Sequence, residues 1–553
     1  MTTRDDEKQG FFEKPVTRRQ ILQGAAAVGA AAAFGSVAAA CGSSSSSSSS
    51  ASPAASSSAA AGAPKMGGQL RVATSSGTAK ENLDAHQPAL SSPCLDMKYN
   101  LYDSLLEFDN TGTLGMALAE SLEPNADGTQ FTVKLKPDVV FHDGSPMNAD
   151  AVVYSFERIM DPKNPGLAAA QLRGLKPGGT KKIDDLTVQF NLAEANSIFP
   201  EALSAYASAI VPVGYAPKGG EGVVGTGPFK LAAPGDFQPG IQCVMAKNEN
   251  YWRTDGGPYV DQLSIIEFAD NSAQMNALLG GSVEYSNMIP GAQRKIAEGA
   301  GMLMLEADTG LWIPFTMNVQ AKPFDDVRVR QAFRLIVDRE QMIAQAEDGM
   351  ASIGNDMYGR FDPGYPKDLA QRQQDLEQAK SLLKQAGQEG MTVKLQTSTS
   401  VASTAPAAAT VFAQQAQGAG ITVKVDNVTG DVFWGDQYLK WPFAMDQWGT
   451  RGYLAQAGMG TVPGALYNET HWADATPKYM DLVNQAYKTT DDAKRNELIT
   501  EASTMEFNEG GYIVYSFEKL VDAYSPKVAG SLSDFSAIGM AANNARYRTI
   551  YFV

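Results

Sequence analysis

Cysteine and histidine are scarce: three of each in 553 residues. His86, His142 and His471 lie far apart, and none stands in an HExxH or a Cys/His spacing that would hold zinc. The chain has no GxSxG elbow and no Walker loop, so no metal and no cofactor are expected. Apart from Cys41, only Cys94 and Cys243 remain; they either pair in an oxidising compartment or stay as two buried thiols. Beyond residue 40 no stretch is long and apolar enough to span a bilayer. Basic residues are also in deficit, 45 Lys and Arg against 61 Asp and Glu, a net charge of −16. Removing residues 1–40, with five basic and four acidic side chains, leaves −17. That balance argues against nucleic acid and against an anionic membrane surface as direct partners. With 44% apolar and 9% aromatic residues, sizeable cores are affordable, and the length suggests two or three domains.

The first 64 residues read as an address and a tether. Arg18 and Arg19 precede an uncharged stretch, Ile21 to Ala40, and then Cys41. Paired arginines ahead of a modestly apolar segment resemble a twin-arginine export signal. Ala38-Ala39-Ala40-Cys41 resembles a bacterial lipoprotein cleavage site, with Ala38 where leucine is usual; Cys41 would become the lipid-bearing N-terminus. A retained anchor and non-lipidated secretion are the alternatives. Residues 1–41 are thus expected as signal and 42–65 as tether. Its serine run, Ser43 to Ser50, and the Ser/Ala/Pro/Gly tail to Pro64 suit a coil spanning roughly 25 Å.

Periodicity outlines the rest. Gly68–Thr74 alternates as an opening strand. Phe131–Lys136 alternates too, and Val140–Gly144 close behind suggests a hairpin. Asn148 suits an N-cap for a helix with Val152, Val153, Phe156, Ile159 and Met160 on one stripe. Leu186–Leu192 and Leu263–Phe268 read as strands, and Ser272–Leu279 as a helix ended by Gly280. Met302–Glu306 and Ile313–Asn318 read as strands. Val329, Ala332, Phe333, Ile336 and Val337 mark a buried helix face. Asp338 caps the next helix, with Gln341 at the capping-box position. Leu376 to Ala386 is a helix closed by Gly387. Met391–Thr397, Pro406–Gln417 and Ile421–Val425 form a βαβ unit. Helices at about 475–488 and 491–508 follow, and Tyr512–Tyr515 returns to strand. There is no internal repeat, and the pattern is that of a two-lobed α/β protein.

Several segments together resemble the extracytoplasmic solute-binding proteins of ATP-driven importers, in the oligopeptide/dipeptide/nickel class (family 5). They are Ala119-Glu-Ser-Leu-Glu123 with Asp127–Leu135, Phe141–Pro146 running into Asn148–Ser155, Gly225–Lys230, Asn248–Trp252, and Pro323–Ala332 with Ile336–Glu340. The resemblance covers nearly all of the chain after the tether. It implies a bilobed α/β clamp of the periplasmic-binding-protein type (class II), with an extra α/β subdomain on lobe one. Lobe one would comprise 66–100, 218–316 and 517–553, the extra subdomain 101–217 and lobe two 317–516. The hinge would lie near Thr316-Met317-Asn318 and Ser516-Phe517. Asp143-Gly144 reads as a turn and Phe324-Asp325-Asp326 as a helix start, not as catalytic groups.

The resemblance also places a ligand between the lobes, where small-molecule sites favour domain interfaces. Its contributors would be the loop after the first strand, Thr74, Ser75, Ser76 and on to Thr78, and the stretch from Phe443 to Tyr453. In peptide-binding members a tryptophan there is followed three residues on by an aspartate that holds the peptide ammonium. Here Trp448 is followed by Arg451, which cannot accept a hydrogen bond and suits a carboxylate or phosphate. Asp446 is the candidate substitute acceptor, and Tyr453 adjoins the stretch. The other reading of Arg451 is structural, bridging a nearby carboxylate. Asn468, in Tyr467–Trp472, and Trp312, before the expected hinge, either line the cleft or belong to the surface and core; Trp252 and Trp434 are expected in the core. The implied function is a monomeric, non-enzymatic receptor for a peptide or peptide-like small-molecule solute, an anionic one among the candidates. It would be exported, lipid-anchored to the outer face of the cytoplasmic membrane, and served by permease and ATPase subunits. A cell-surface sensor on the same fold and a secreted hydrolase are the competing functions.

Overall fold

The opening strand, Gln69–Thr74, runs parallel to Gln262–Glu267 and brings Thr74 opposite Glu267 at the C-terminal ends of both strands. The computed structural model describes residues 63–109, 112–254, 256–530, 535–537, 545 and 547–553. The twin-arginine segment, Cys41 and the tether up to residue 62 lie outside the described residues. Around the opening strand grows a ten-stranded mixed sheet. Its path is Phe535–Ala537, Leu303–Thr309, Ser516–Tyr524, Tyr285–Ser286, Gln69–Thr74, Gln262–Glu267, Gln242–Lys247 and Phe229–Lys230. Alternation is legible in the buried side chains Leu70 and Val72, which point to one face with Cys243, Met245, Leu263 and Ile265.

A second sheet of five strands orders Thr422–Asn427, Thr392–Thr397, Phe443–Met445, Phe315–Met317 and Tyr512–Ile513. Thr392–Thr397 and Thr422–Asn427 are parallel, joined by the helix Ala405–Gly418, so the βαβ unit forms as the sequence indicates. Its core is aromatic. Phe315 meets Phe412 at 4.7 Å between ring centres, and Phe443 meets Phe324 at 5.1 Å and Phe333 at 5.4 Å. A third, antiparallel sheet orders Ala119–Pro124, Gln130–Leu135, Thr187–Leu192 and Leu175–Asp184, covered by the helix Ala149–Ile159. Two lobes, with this smaller α/β layer attached, are the result.

The chain passes from the large sheet to the five-stranded one between Thr309 and Phe315, and returns between Ile513 and Ser516. Thr316 and Met317, expected at the hinge, already lie in a strand of the second sheet. A short strand, Ala351–Ile353, reaches back to pair with Ser516–Tyr524.

The expected hairpin does not form. Gln130–Leu135 pairs with Ala119–Pro124 and Thr187–Leu192. Val140–Gly144 is instead a tight turn, in which Ser145 N–H donates to Asp143 Oδ1 and Gly144 takes φ +85°. Val140 pairs across this turn with Pro146, and Phe141 N–H donates to the Ser145 carbonyl, so local pairing takes the place of pairing with Gln130–Leu135. Asn148 Oδ1 does accept the Ala151 N–H, as an N-cap should. Asp338 Oδ1 accepts the Gln341 N–H, but the Gln341 side chain does not close a capping box. Gln415 does that work from another helix, its Oε1 accepting the Asp338 N–H and its Nε2 donating to Gln341 Oε1. Cys94 and Cys243 are both buried free thiols; the Cys94 thiol donates to the Asn82 carbonyl.

Candidate functional site

Parallel strands expose their C-terminal ends to the crevice where ligands bind in open α/β sheets. On the first lobe those ends carry Thr74 and Glu267. Thr74 is buried and its Oγ1 has no hydrogen-bond partner among the described residues. The Ser75 hydroxyl donates to Asn271 Oδ1, and Ser76 is exposed. Gly77 folds this loop over Glu267: a Cβ there would stand 0.9 Å from Glu267 Oε2, so no other residue fits without moving that carboxylate. Burial, and then Glu81 beside it, push the Glu267 carboxyl above the usual carboxylate range.

On the second lobe the strand Phe443–Met445 runs directly into the predicted stretch. Asp446 is buried. It accepts the Gln447 N–H at 2.6 Å and the Tyr438 hydroxyl at 3.0 Å, and it shares its site with Glu469. Burial pushes Asp446 up to about 6, and burial plus Asp446 push Glu469 well above the usual carboxylate range. Two close carboxyls in a dry place keep a proton between them. Glu469 Oε1 in turn accepts the Trp448 indole N–H at 3.0 Å, which fixes that ring. Asp446 therefore anchors the wall from behind.

Trp448 and Trp312 exchange backbone hydrogen bonds of 3.1 and 3.0 Å, so the aromatic wall is attached to the interlobar crossing itself. The rings form a ladder. Trp448 lies 6.1 Å from Trp312 at 16°, Trp312 5.3 Å from Tyr358 at 18°, and Tyr358 5.1 Å from Tyr453 at 14°; Tyr512 meets Trp312 edge-on at 5.2 Å. Trp312 is thus both core and the backing of the wall. Tyr453 is core: its hydroxyl donates to Glu506 at 2.9 Å and its N–H to Asp362 at 2.8 Å. Asn468 pins its own loop, donating to Asp474 and accepting the His471 N–H. Trp252, half-buried, donates to Asp103. Trp434 is not core; it is 37% exposed, held by Ser400 at the surface of its loop.

Arg451 is the unusual member. Its Nη1 donates to Gln456 Oε1 at 3.4 Å, and its guanidinium lies 5.9 Å from the Trp448 ring. No carboxylate among the described residues comes within 4.0 Å of it, so the structural ion pair weighed from sequence is not seen there. Burial pulls its pKa down, opposed by Tyr467, yet arginine remains a cation. Three neighbours carry no signal in the sequence. Arg360, half-buried, donates to the Thr309 carbonyl at the crossing and lies against Phe517. Glu201, on the third-sheet layer, and Asp362 stand 3.2 and 3.3 Å from the place a Gly452 Cβ would occupy. Burial, and then Asp362, push Glu201 up to about 7, partly offset by Arg495. The third-sheet layer meets the second lobe again where Ser197 N–H donates to the Tyr487 carbonyl at 2.7 Å and Ser197 Oγ to the Ala486 carbonyl at 2.9 Å.

Comparison with known proteins returns one theme. The sequence model of bacterial extracellular solute-binding proteins, family 5 (middle part), matches residues 113–465, and that of the twin-arginine translocation signal matches residues 15–35. The glutathione-binding protein GsiB of Pectobacterium atrosepticum is 29% identical over 464 residues, covering 78% of this chain and 85% of that protein. The substrate-binding protein CtaP of Listeria monocytogenes superposes with a TM-score of 0.77 at 20% identity, covering 88% and 100%. The oligopeptide-binding protein AppA of Bacillus subtilis, solved with a nonapeptide, gives 0.69 at 20%, covering 89% and 100%.

Proposed function

The chain belongs to family 5 of the bacterial extracellular solute-binding proteins, and from that premise we propose that it captures a peptide-like solute bearing a carboxylate between its lobes and delivers it to the permease of an ATP-driven importer. The observation that carries this reading is Arg451, a cation without a carboxylate partner among the described residues, held against Trp448 on a wall fixed to the interlobar crossing. Lobe one is assigned to 66–100, 218–314 and 516–553, the extra subdomain to 101–217 and lobe two to 315–515, the boundaries following the two crossings between the sheets. The ligand-facing residues are Thr74, Ser75, Ser76, Trp448 and Arg451, with Asp446 and Trp312 behind the wall and Tyr453 and Asn468 as supports. Capture is closure: contacts made by both lobes favour the shut state, and no bond of the solute is broken.

Glutathione is the first solute to titrate, since the curated relatives are named for it. Calorimetric titration is expected to show binding by the wild type and a loss of about 30-fold or more for Arg451→Ala, the range for removing one partner of a desolvated charge pair, ~2–5 kcal/mol. Binding that ignores Arg451→Ala but vanishes when the solute amine is blocked would overturn this reading in favour of ammonium recognition. Export is directed by the twin-arginine signal. The lipid anchor on Cys41 is the further part of the proposal. Mass spectrometry of the mature N-terminus is expected to give diacylglyceryl-Cys41, and Cys41→Ser to shift the protein from the membrane fraction to the soluble one; an unmodified N-terminus elsewhere removes the anchor.

A further inference from the structure

Arginines in this protein are, as a rule, paired. Arg158, Arg253, Arg339 and Arg372, buried or half-buried, each hold a carboxylate oxygen within 2.9 Å. Arg330 and Arg334, also buried, are each held by at least two backbone carbonyls. Arg360 and Arg451 break the rule together. Neither has a carboxylate within 4.0 Å among the described residues, and each makes a single long hydrogen bond, 3.3 Å to Thr309 O and 3.4 Å to Gln456 Oε1. In a chain with a net charge of −16, acceptors are abundant, so two half-buried cations left this bare need an explanation.

They also sit at one place. Arg360 donates to the Thr309 carbonyl, and the next residue, Gly310, gives its N–H to Thr450 Oγ1 at 3.0 Å, immediately before Arg451. Gly359 packs on the Tyr453 backbone, where a Cβ would stand 3.1 Å from Tyr453 N, so the two segments lie side by side. Each guanidinium rests near a ring, Arg360 4.9 Å from that of Phe517 and Arg451 5.9 Å from that of Trp448. Rings supply attraction to a cation without occupying its hydrogen-bond donors. What remains is two planar donor forks beside the crossing, each suited to a carboxylate.

We propose that Arg360 is a second anion-reading residue of the cleft, so that the solute presents two carboxylates, one to Arg360 and one to Arg451. This rests on the solute-capture reading above and narrows it to dicarboxylate, peptide-like ligands. The test is a cycle between protein and probe. Wild type, Arg360→Gln, Arg360→Lys and Arg451→Gln are titrated with glutathione and with two derivatives, one blocked as the ester at the glycine carboxylate and one as the amide at the γ-glutamyl α-carboxylate. Each block is expected to weaken wild-type binding about 10-fold or more, and Arg360→Gln to abolish the penalty of one block only, Arg451→Gln that of the other. Arg360→Lys recovers part of the affinity, since a point charge replaces the fork. If both penalties survive Arg360→Gln unchanged while Arg451→Gln removes one, the Arg360 inference fails and solute capture stands. If the wild type binds no form of glutathione, thermal shifts with glutarate and glutaramide decide. Stabilisation by the diacid alone, lost in Arg360→Gln, keeps the inference and discards the peptide; no stabilisation by either discards both.

Discussion

Asp356→Ala is expected to destabilise the second lobe by about 3–5 kcal/mol, the range for stripping one partner from a buried ion cluster. Asp356 is fully buried, and its Oδ2 accepts from Arg339 Nη2 at 2.7 Å and from Arg372 Nη1 at 2.9 Å. Arg339 is almost fully buried as well, and the Arg372 guanidinium lies 3.9 Å from the Phe507 ring. Arg334, wholly buried behind them, is pushed down to about 9 by burial, with Asp356 the chief charge opposing that shift. One carboxylate thus offsets a concentration of positive charge that water does not reach. A second, smaller cost is conformational: Asp356 has φ +56°, which aspartate tolerates better than alanine. Asp356→Gly removes that smaller cost and isolates the electrostatic one. Calorimetry should show the second-lobe transition lowered by roughly 6–20 °C for a lobe of this size. Exchanging all three residues for apolar ones of similar volume should restore most of the loss. A shift of under about 2 °C for Asp356→Ala would show that the arginines find other acceptors.

Trp312→Ala should be nearly as costly, about 3–5 kcal/mol, as for other large buried aromatics. The indole is 2% exposed and stacks between Trp448 and Tyr358 while Tyr512 closes its edge. Its loss should also reach the solute, because the Trp448 wall that Arg451 leans on is backed by this ring. We expect an affinity loss of about 10-fold or more, near 1.4 kcal/mol. Trp312→Phe keeps a ring against Tyr358 and should lose less of both. Unfolding and titration of the two variants check this; retained affinity in a destabilised Trp312→Ala would confine the ring to a structural role.

Much of the fold was legible because it rests on periodicity and on local chemistry. The alternating run at Gln69–Thr74, the Asn148 cap and the βαβ unit ending at Asn427 needed no distant partner to be recognised. Pairing was less legible. Val140–Gly144 has strand-like residues, but its partner choice is overridden by an aspartate that turns the chain on itself. The site was legible only where sequence neighbours share it. Trp448 and Arg451 lie in one short stretch, whereas Arg360 arrives from 91 residues earlier and Glu201 from another layer altogether. Asp446 looked like an open acceptor because nothing in the sequence announces that Glu469 folds against it. Trp434 looked like core by its chemistry and proves to be loop surface.

The clasp at Ser197 has a mechanical meaning. The Tyr487 and Ala486 carbonyls that it engages lie at the end of the helix Pro477–Lys488, and Ser197 belongs to the small third layer. Swinging the halves apart would break both of these hydrogen bonds. Opening then combines two changes, an unclipping at the outer layer and a rotation at the crossing.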